Sequence, residues 1–247
     1  MTLTSVAAPA LAAHKAARGL RISVCIPARN EAATVAGVVS PVRPALEGPE
    51  PLVDELIVVD DGSTDATGAL AEAAGARVVR RSGPPGKGLA MAAGIRASTG
   101  DIVVFLDADV RNVGLHFVPG LAAALLRDDR FLLAKGTYDR PGNGGTGGGR
   151  VTELLARPLL RRFFPELAFL RQPLAGEVAV RREALAGLVL EPGYGVEMGM
   201  LIDVARRYGT AAVAEVDLGE RIHRNRPLSE LSGQADDVLA AVLSRTG

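Results

Sequence analysis

Two aspartates one residue apart, Asp107 and Asp109 in FLDADV, close the apolar run DIVVFL. Residues two apart on a strand share a face, so both carboxylates can aim at one point. Carboxylate oxygens suit hard cations. Magnesium takes one or two of them and fills its other positions with water and phosphate oxygens. A pair of carboxylates at the end of a buried strand therefore predicts a grip on a metal and a diphosphate. Lys87 stands between glycines in GPPGKG, at the expected start of a helix. Backbone donors and the positive helix end favour an anion there, so Lys87 suits a diphosphate. The stretch lacks the GxxxxGK[ST] pattern, which excludes a P-loop ATPase. VVDDGSTD reads two ways: as a turn capping the next helix through Ser63 or Thr64, or as a holder of a nucleotide's ribose or base through Asp60 or Asp61.

These groups need a scaffold, and the first half of the chain supplies one. RISVCIP, ELIVVD, ARVVR and DIVVFLD read as strands. Helical patterns separate them: NEAATVAGVVSPV with Asn30 as its cap, STDATGALAEAAG with Gly75 just past its end, and GKGLAMAAGIRAST. The alternation predicts right-handed βαβ units and a mostly parallel, Rossmann-like sheet flanked by helices. Ligands of such sheets sit beyond the carboxyl ends of the strands. PARNE, DDGSTD and DAD all fall there. FVPGLAAALLRDD then reads as a helix and RFLLAKGTY as a strand. DRPGNGGTGGGR is a flexible, glycine-rich stretch expected to be mobile without ligand. Beyond it RVTELLARPLLRRFF, YGVEMGMLIDVARRYG and SELSGQADDVLAAVLSRTG read as helices and AAVAEVDLG as a strand. The expected organisation is a flexible leader or frayed helix over residues 1–20, a Rossmann-like half over 21–140 and a C-terminal half over 141–247.

Bulk composition narrows the class. The 247 residues are 48% hydrophobic, enough for a sizeable core. Basic and acidic residues number 28 each, which argues against a chain built to coat nucleic acid. Tryptophan is absent, which disfavours an aromatic stacking platform. The single cysteine, Cys25, allows no disulfide within the chain and reads as a buried small hydrophobe. No run approaches the roughly 18–20 apolar residues of a membrane span. A soluble, cytoplasmic protein with no membrane partner is expected.

The ordered series IPARNE, VVDDGSTD, GKG and GDIVVFLDAD resembles the GT-A nucleotide-sugar glycosyltransferases. TGGGRVTELLARPLL, QPLAGEVAVRREAL, PGYGVEMGMLIDVARRYG and DLGERIHRNRPLSEL resemble, more specifically, the glucosyl-3-phosphoglycerate synthase family. The likeness runs from about Ile22 to the C-terminus. It implies a GT-A fold and retaining transfer of glucose from UDP-glucose to the 2-hydroxyl of 3-phosphoglycerate. It also implies magnesium, with manganese able to substitute, and a homodimer. By motif, Pro27, Ala28, Asn30, Glu31 and Asp61 line the uridine site and Lys87 meets the diphosphate. Asp107 and Asp109 form the DxD, with Asp109 the direct metal ligand and His223 a further one. Glu197 holds the donor sugar hydroxyls, and the carbonyl near Leu174 supports the anomeric centre. Gly149, Arg150, Thr152 and Asn225 bind the acceptor.

The residues agree with this independently. An acceptor bearing phosphate and carboxylate calls for an arginine and clustered backbone donors, and GGGRVT supplies both at a helix start. Arg226, close to His223 in RIHRNR, is near enough in sequence to reach a phosphate. A neutral imidazole can complete an oxygen-rich metal site. Two departures from the family pattern stand out. The loops before GKG and GGGR look shorter than usual, and Ala108 occupies a position where serine is common. Other readings stay open on sequence alone: a GDP-mannose or dual-donor enzyme on the same acceptor, a transferase onto a lipid phosphate, a metal-dependent nucleotidyltransferase, and a nucleotide-binding regulator without catalysis.

Overall fold

The structure, a computed structural model, describes residues 8–139, 149–222 and 228–246. Seven strands form one sheet in the order β3-β2-β1-β4-β6-β5-β7. These are β1 (Ile22–Ala28), β2 (Glu55–Asp60), β3 (Arg77–Arg80), β4 (Ile102–Phe105), β5 (Leu133–Asp139), β6 (Val178–Arg181) and β7 (Val213–Glu220). The helices are α1 (Ala8–Ala17), α2 (Val35–Val39), α3 (Thr67–Ala73), α4 (Lys87–Ala97), α5 (Phe117–Arg127), α6 (Arg157–Phe163), α7 (Arg182–Leu185), α8 (Val196–Tyr208) and α9 (Leu228–Leu243).

β1 and β4 are buried along both faces, which is why they read as near-continuous apolar runs. β3, bounded by arginines, is the exposed edge. Alternate residues feed two cores. Val24, Ile26, Val58 and Val104 pack with α2 and α5 on one face. Cys25, Ile57, Val103 and Phe105 pack with α4, α8 and α9 on the other. Burial pushes the Cys25 thiol up to about 12, so it is an inert core residue at neutral pH.

Strand order reverses between β1 and β4, and this switch point is where an open α/β sheet leaves a crevice. β6 is the exception to the parallel run. It pairs antiparallel with both β4 and β5, with Val178 level with Phe105 and with Lys135. The residues just before it, Gly176–Glu177, therefore lie near the end of β4 and beside the middle of β5.

Two local expectations are corrected. Residues 8–20 are not a loose leader in the described part: α1 docks on α5. Leu11 and Ala12 enter the core, and Lys15 pairs with Asp54 at 2.7 Å. His14 Nε2 and Arg18 lie 2.9 and 2.8 Å from the carbonyl of Leu126 near the end of α5. The i, i+1, i+4 spacing of Leu11, Ala12 and Lys15 puts these residues on one helix face. Asn30 does not cap α2. It takes a left-handed φ of 55°, and its side-chain oxygen accepts the Thr64 N–H at 2.8 Å. The glycine-rich residues 140–148 lie outside the described residues. Among the described residues, no helix is long and apolar enough to cross a membrane.

Candidate active site

The carboxyl ends of β1, β2 and β4 open onto a cavity of about 1030 Å³. β1 contributes Pro27, Ala28 and, just beyond, Glu31. The Glu31 N–H donates to Thr67 Oγ1 at 2.8 Å, tying the β1 and β2 turns together. Asp61 follows β2. Its carboxylate accepts from the Arg81 guanidinium and, at 2.7 Å, from the Gly86 N–H. Asp61 therefore also pins the loop that delivers Lys87.

Lys87 begins α4 and reaches across to β4. Its Nζ lies 2.6 Å from Asp107 Oδ1 and also contacts Glu197 Oε1 on the first turn of α8. The flanking glycines serve packing. A Cβ on Gly88 would overlap the carbonyl oxygen of Glu191, and one on Gly86 would overlap that of Pro192. The Leu89 N–H donates to Pro192 O at 3.1 Å. Only bare backbone lets α4 approach the loop that leads into α8.

The other oxygen of Asp107 receives Arg221, whose guanidinium lies 2.7 Å from Oδ2 and 3.4 Å from Asp109 Oδ1. Arg221 Nε also faces Glu177 Oε1 at 3.0 Å, off hydrogen-bonding alignment, and the guanidinium lies 5.1 Å from the Tyr138 ring centre. Arg221 is held because the end of β7 is stitched to neighbouring strands and turns. Its N–H donates to Asp139 O at 2.9 Å, and the Ile222 N–H donates to Asn112 Oδ1 at 2.7 Å. Gly149, Arg150 and Thr152 line the cavity where a π-helical stretch, Thr152–Ala156, leads into α6. Leu174, Tyr194 and the Gln234 and Asp237 side chains of α9 also line it. Asp237 accepts the Tyr194 N–H at 2.8 Å.

The pattern of Glycosyl transferase family 2 matches residues 23–176. The glucosyl-3-phosphoglycerate synthase of Mycobacterium tuberculosis H37Rv is 49% identical over 244 residues, covering 93% of this chain and 74% of that one. The chain belongs to family 2 of the glycosyl transferases, among the glucosyl-3-phosphoglycerate synthases. The synthase of Petrotoga mobilis is 42% identical over 243 residues, covering 94% of this chain and 75% of that one. A crystal structure of the M. tuberculosis synthase with Mn2+, UDP and glucosyl-3-phosphoglycerate superposes with a TM-score of 0.92 at 46% identity, over 100% of this chain and 86% of that one. The same synthase with Mg2+ and UDP gives 0.91 at 46% identity, with the same coverage. The sheet is thus that of a GT-A glycosyltransferase.

In this synthase fold, twelve residues singled out from sequence share one cavity: Pro27, Ala28, Glu31, Asp61, Lys87, Asp107, Asp109, Gly149, Arg150, Thr152, Leu174 and Glu197. Asn30 stands apart, its side chain bonded to Thr64. His223, Asn225 and Arg226 lie outside the described residues. Sequence reasoning passed over Arg221, Glu177 and Lys135. A signal was present in the last two, because each is a charged residue within or beside an apolar strand, as in DAD.

Charge defines the chemistry of this centre. Burial disfavours the Lys87 ammonium, but Asp107 and Glu197 outweigh it and hold its pKa well above the ordinary lysine value. Burial likewise opposes the Asp107 carboxylate, and Lys87 and Arg221 overcome it and hold the group below the usual range. Glu177 is pushed up, first by burial and then by Asp107, against the pull of Arg221.

Metal binding fits this donor set. Asp109 is a hard oxygen donor on the cavity wall, and Asp107 stands beside it with both oxygens engaged by cations. Among the described residues, no three His, Cys, Asp or Glu side chains form a group that could hold a metal ion by themselves. That suits an ion that draws most of its oxygens from substrate and water.

Gly176 makes room for this arrangement. A Cβ there would overlap the Asp107 carboxylate. Gly176→Ala is expected to lower turnover roughly 10- to 100-fold by displacing Asp107. A steady-state comparison of kcat checks this.

Proposed function

We propose that this enzyme transfers glucose, with retention, from UDP-glucose to the 2-hydroxyl of 3-phosphoglycerate. The observation that carries the reading is Lys87. Its ammonium bridges the DxD and Glu197 in a cavity that Gly149, Arg150 and Thr152 also line. A donor binds with its uridine along Pro27, Ala28, Glu31 and Asp61 and its diphosphate against Lys87. Asp109 would hold magnesium, or manganese in its place, together with His223. When bound, the ion acts as a Lewis acid on the leaving diphosphate.

As the sugar–phosphate bond breaks, negative charge grows on the diphosphate, and Lys87 is a fixed countercharge for it. Glu197 orients the sugar hydroxyls, and the Leu174 carbonyl faces the anomeric centre. Arg150 and the backbone at Gly149 bind the acceptor's phosphate and carboxylate, with Thr152 and Asn225 assisting, while Arg226 serves the UDP-sugar. The acceptor attacks from the face the diphosphate leaves, and its proton passes to the departing phosphate. The named relatives support a glucosyl over a mannosyl donor. A cytoplasmic homodimer belongs to the same reading.

The test is release of UDP from UDP-glucose and magnesium, with and without 3-phosphoglycerate, and with GDP-mannose in parallel. Release that requires both UDP-glucose and acceptor, and stops with chelator, is expected. Acceptor-independent release, or preference for GDP-mannose, would overturn the assignment.

A further inference from the structure

Lys135 sits within β5 at 0% exposure, in a strand buried along nearly its whole length. An ammonium so deeply buried is costly unless something uses its charge or its donors. Its Nζ donates to the carbonyl oxygen of Ala175 at 2.5 Å. Ala175 is the middle of a turn that runs from the cavity lining to the DxD. Leu174 before it lines the cavity, and Gly176 after it lies directly under the Asp107 carboxylate.

β5 holds this turn at three points. Gln172 Nε2 donates to Tyr138 O at 3.4 Å, the Gly136 N–H donates to Glu177 O at 2.8 Å, and Lys135 takes the carbonyl between them. Two of these are outer anchors; Lys135 grips the part that faces the chemistry. The charges around it come from four segments of the chain. Glu197, Glu177 and Asp107 favour the ammonium and Lys87 opposes it, while burial pushes it down to about 8. A lysine present only to fill space would be better replaced by an apolar side chain of the same length.

We infer that Lys135 is a positioning residue for the transfer: through the Ala175 carbonyl it fixes the Leu174–Gly176 turn that faces the donor sugar and underlies Asp107. The inference rests on the glucosyl-transfer reading for its kinetic consequence, and on the structure alone for the turn. Lys135 touches no reacting atom. Its role is to set where Leu174 and Asp107 stand.

Lys135→Met keeps the length of the side chain and removes its donors and charge. Its kcat for acceptor-dependent UDP release is expected to fall roughly 10- to 100-fold, with KM for both substrates within about twofold. The melting temperature should stay within roughly 4 °C of wild type. Lys135→Gln keeps an N–H donor without the charge and should lie between the two in kcat. Hydrogen exchange of residues 172–177 should accelerate in Lys135→Met while β1 and β4 stay protected. A Lys135→Met kcat within twofold of wild type overturns the inference. So does a loss of kcat, substrate affinity and melting temperature together, which would mark a merely structural lysine. A Lys135→Gln enzyme no faster than Lys135→Met removes the hydrogen bond from the account. Unchanged exchange at 172–177 refutes the hold on the turn whatever the turnover. Absence of turnover in the wild type would instead count against the glucosyl-transfer reading alone.

Discussion

Lys87→Met is expected to lower kcat roughly 100- to 1,000-fold, the usual loss when one preorganised charge facing a leaving group is removed. The effect should fall on kcat more than on KM, because the countercharge matters most as the diphosphate departs. Stability should fall too. Glu197 is 3% exposed and would lose the ammonium beside it, while Asp107 would keep Arg221. Removing one member of a buried ion pair costs about 3–5 kcal/mol, and the shared partner argues for the lower end.

The pH dependence of that loss follows from the two shifts. The Asp107 carboxyl is depressed below 3.8, so its contribution is present above that value and is lost as pH falls through the folded pKa. Lys87 is raised above 10.5, so its contribution is present below that value and is lost as pH rises through the folded pKa. Thermal melts of wild type and variant should therefore differ most between about pH 5 and about pH 9.5, roughly one unit inside those two limits, and converge at either extreme. A difference that persists unchanged at strongly acid pH would mean that Lys87 stabilises by packing rather than by charge.

Gly88→Ala is the second large effect, and it comes from one methyl group. The new Cβ would meet backbone, the Glu191 carbonyl, which has no side-chain freedom to yield. α4 must then withdraw from the 191–193 loop, taking Lys87 away from Glu197. A shift of about 1 Å in a catalytic group can cost 100-fold, so a loss of that order is expected in kcat. Gly37→Ala is the matched control. Gly37 sits in α2 with open space around its Cβ position, and the same substitution there should leave activity unchanged and add about 0.4–1 kcal/mol of stability. Denaturant melts and UDP-release kinetics on the two variants test both signs. Equal behaviour would mean that α4 adjusts without moving Lys87.

The donor-side scaffold was legible because its signals are local. Apolar runs of strand length ending in PARN, DDGS and DAD specify both the strands and the edge where polar groups gather. Lys87 could be read from its glycines and helix start, although the glycines proved to serve packing against Glu191 and Pro192. Arg221, Glu177 and Lys135 were harder because each acquires meaning from pairing across long stretches of sequence. Arg221 meets Asp107 only because β7 lies beside β5 and its end is bonded to residues 111 and 112. The RIHRNR run drew attention to His223 and its neighbours, and nothing in it marks Arg221 as the guanidinium that closes on the DxD. The docking of α1 was hidden for a similar reason. Ala-rich composition looks like a loose end until α5 supplies a surface to bury against.

The reversed strand β6 has a consequence for how this chain folds. β4 can complete its other edge only with β6, and β5 finds its partners in β6 and β7, all of them much later in sequence. Until β6 inserts, two apolar strands present unpaired edges, the kind of surface that seeks pairing with another chain. Pairing over such distances is slow, because the entropy of closing the chain is lost before the contacts form. Aggregation during refolding should therefore track the arrival of residues 178–181. Small substitutions that weaken β6 would lower the yield of folded protein even where the finished enzyme tolerates them.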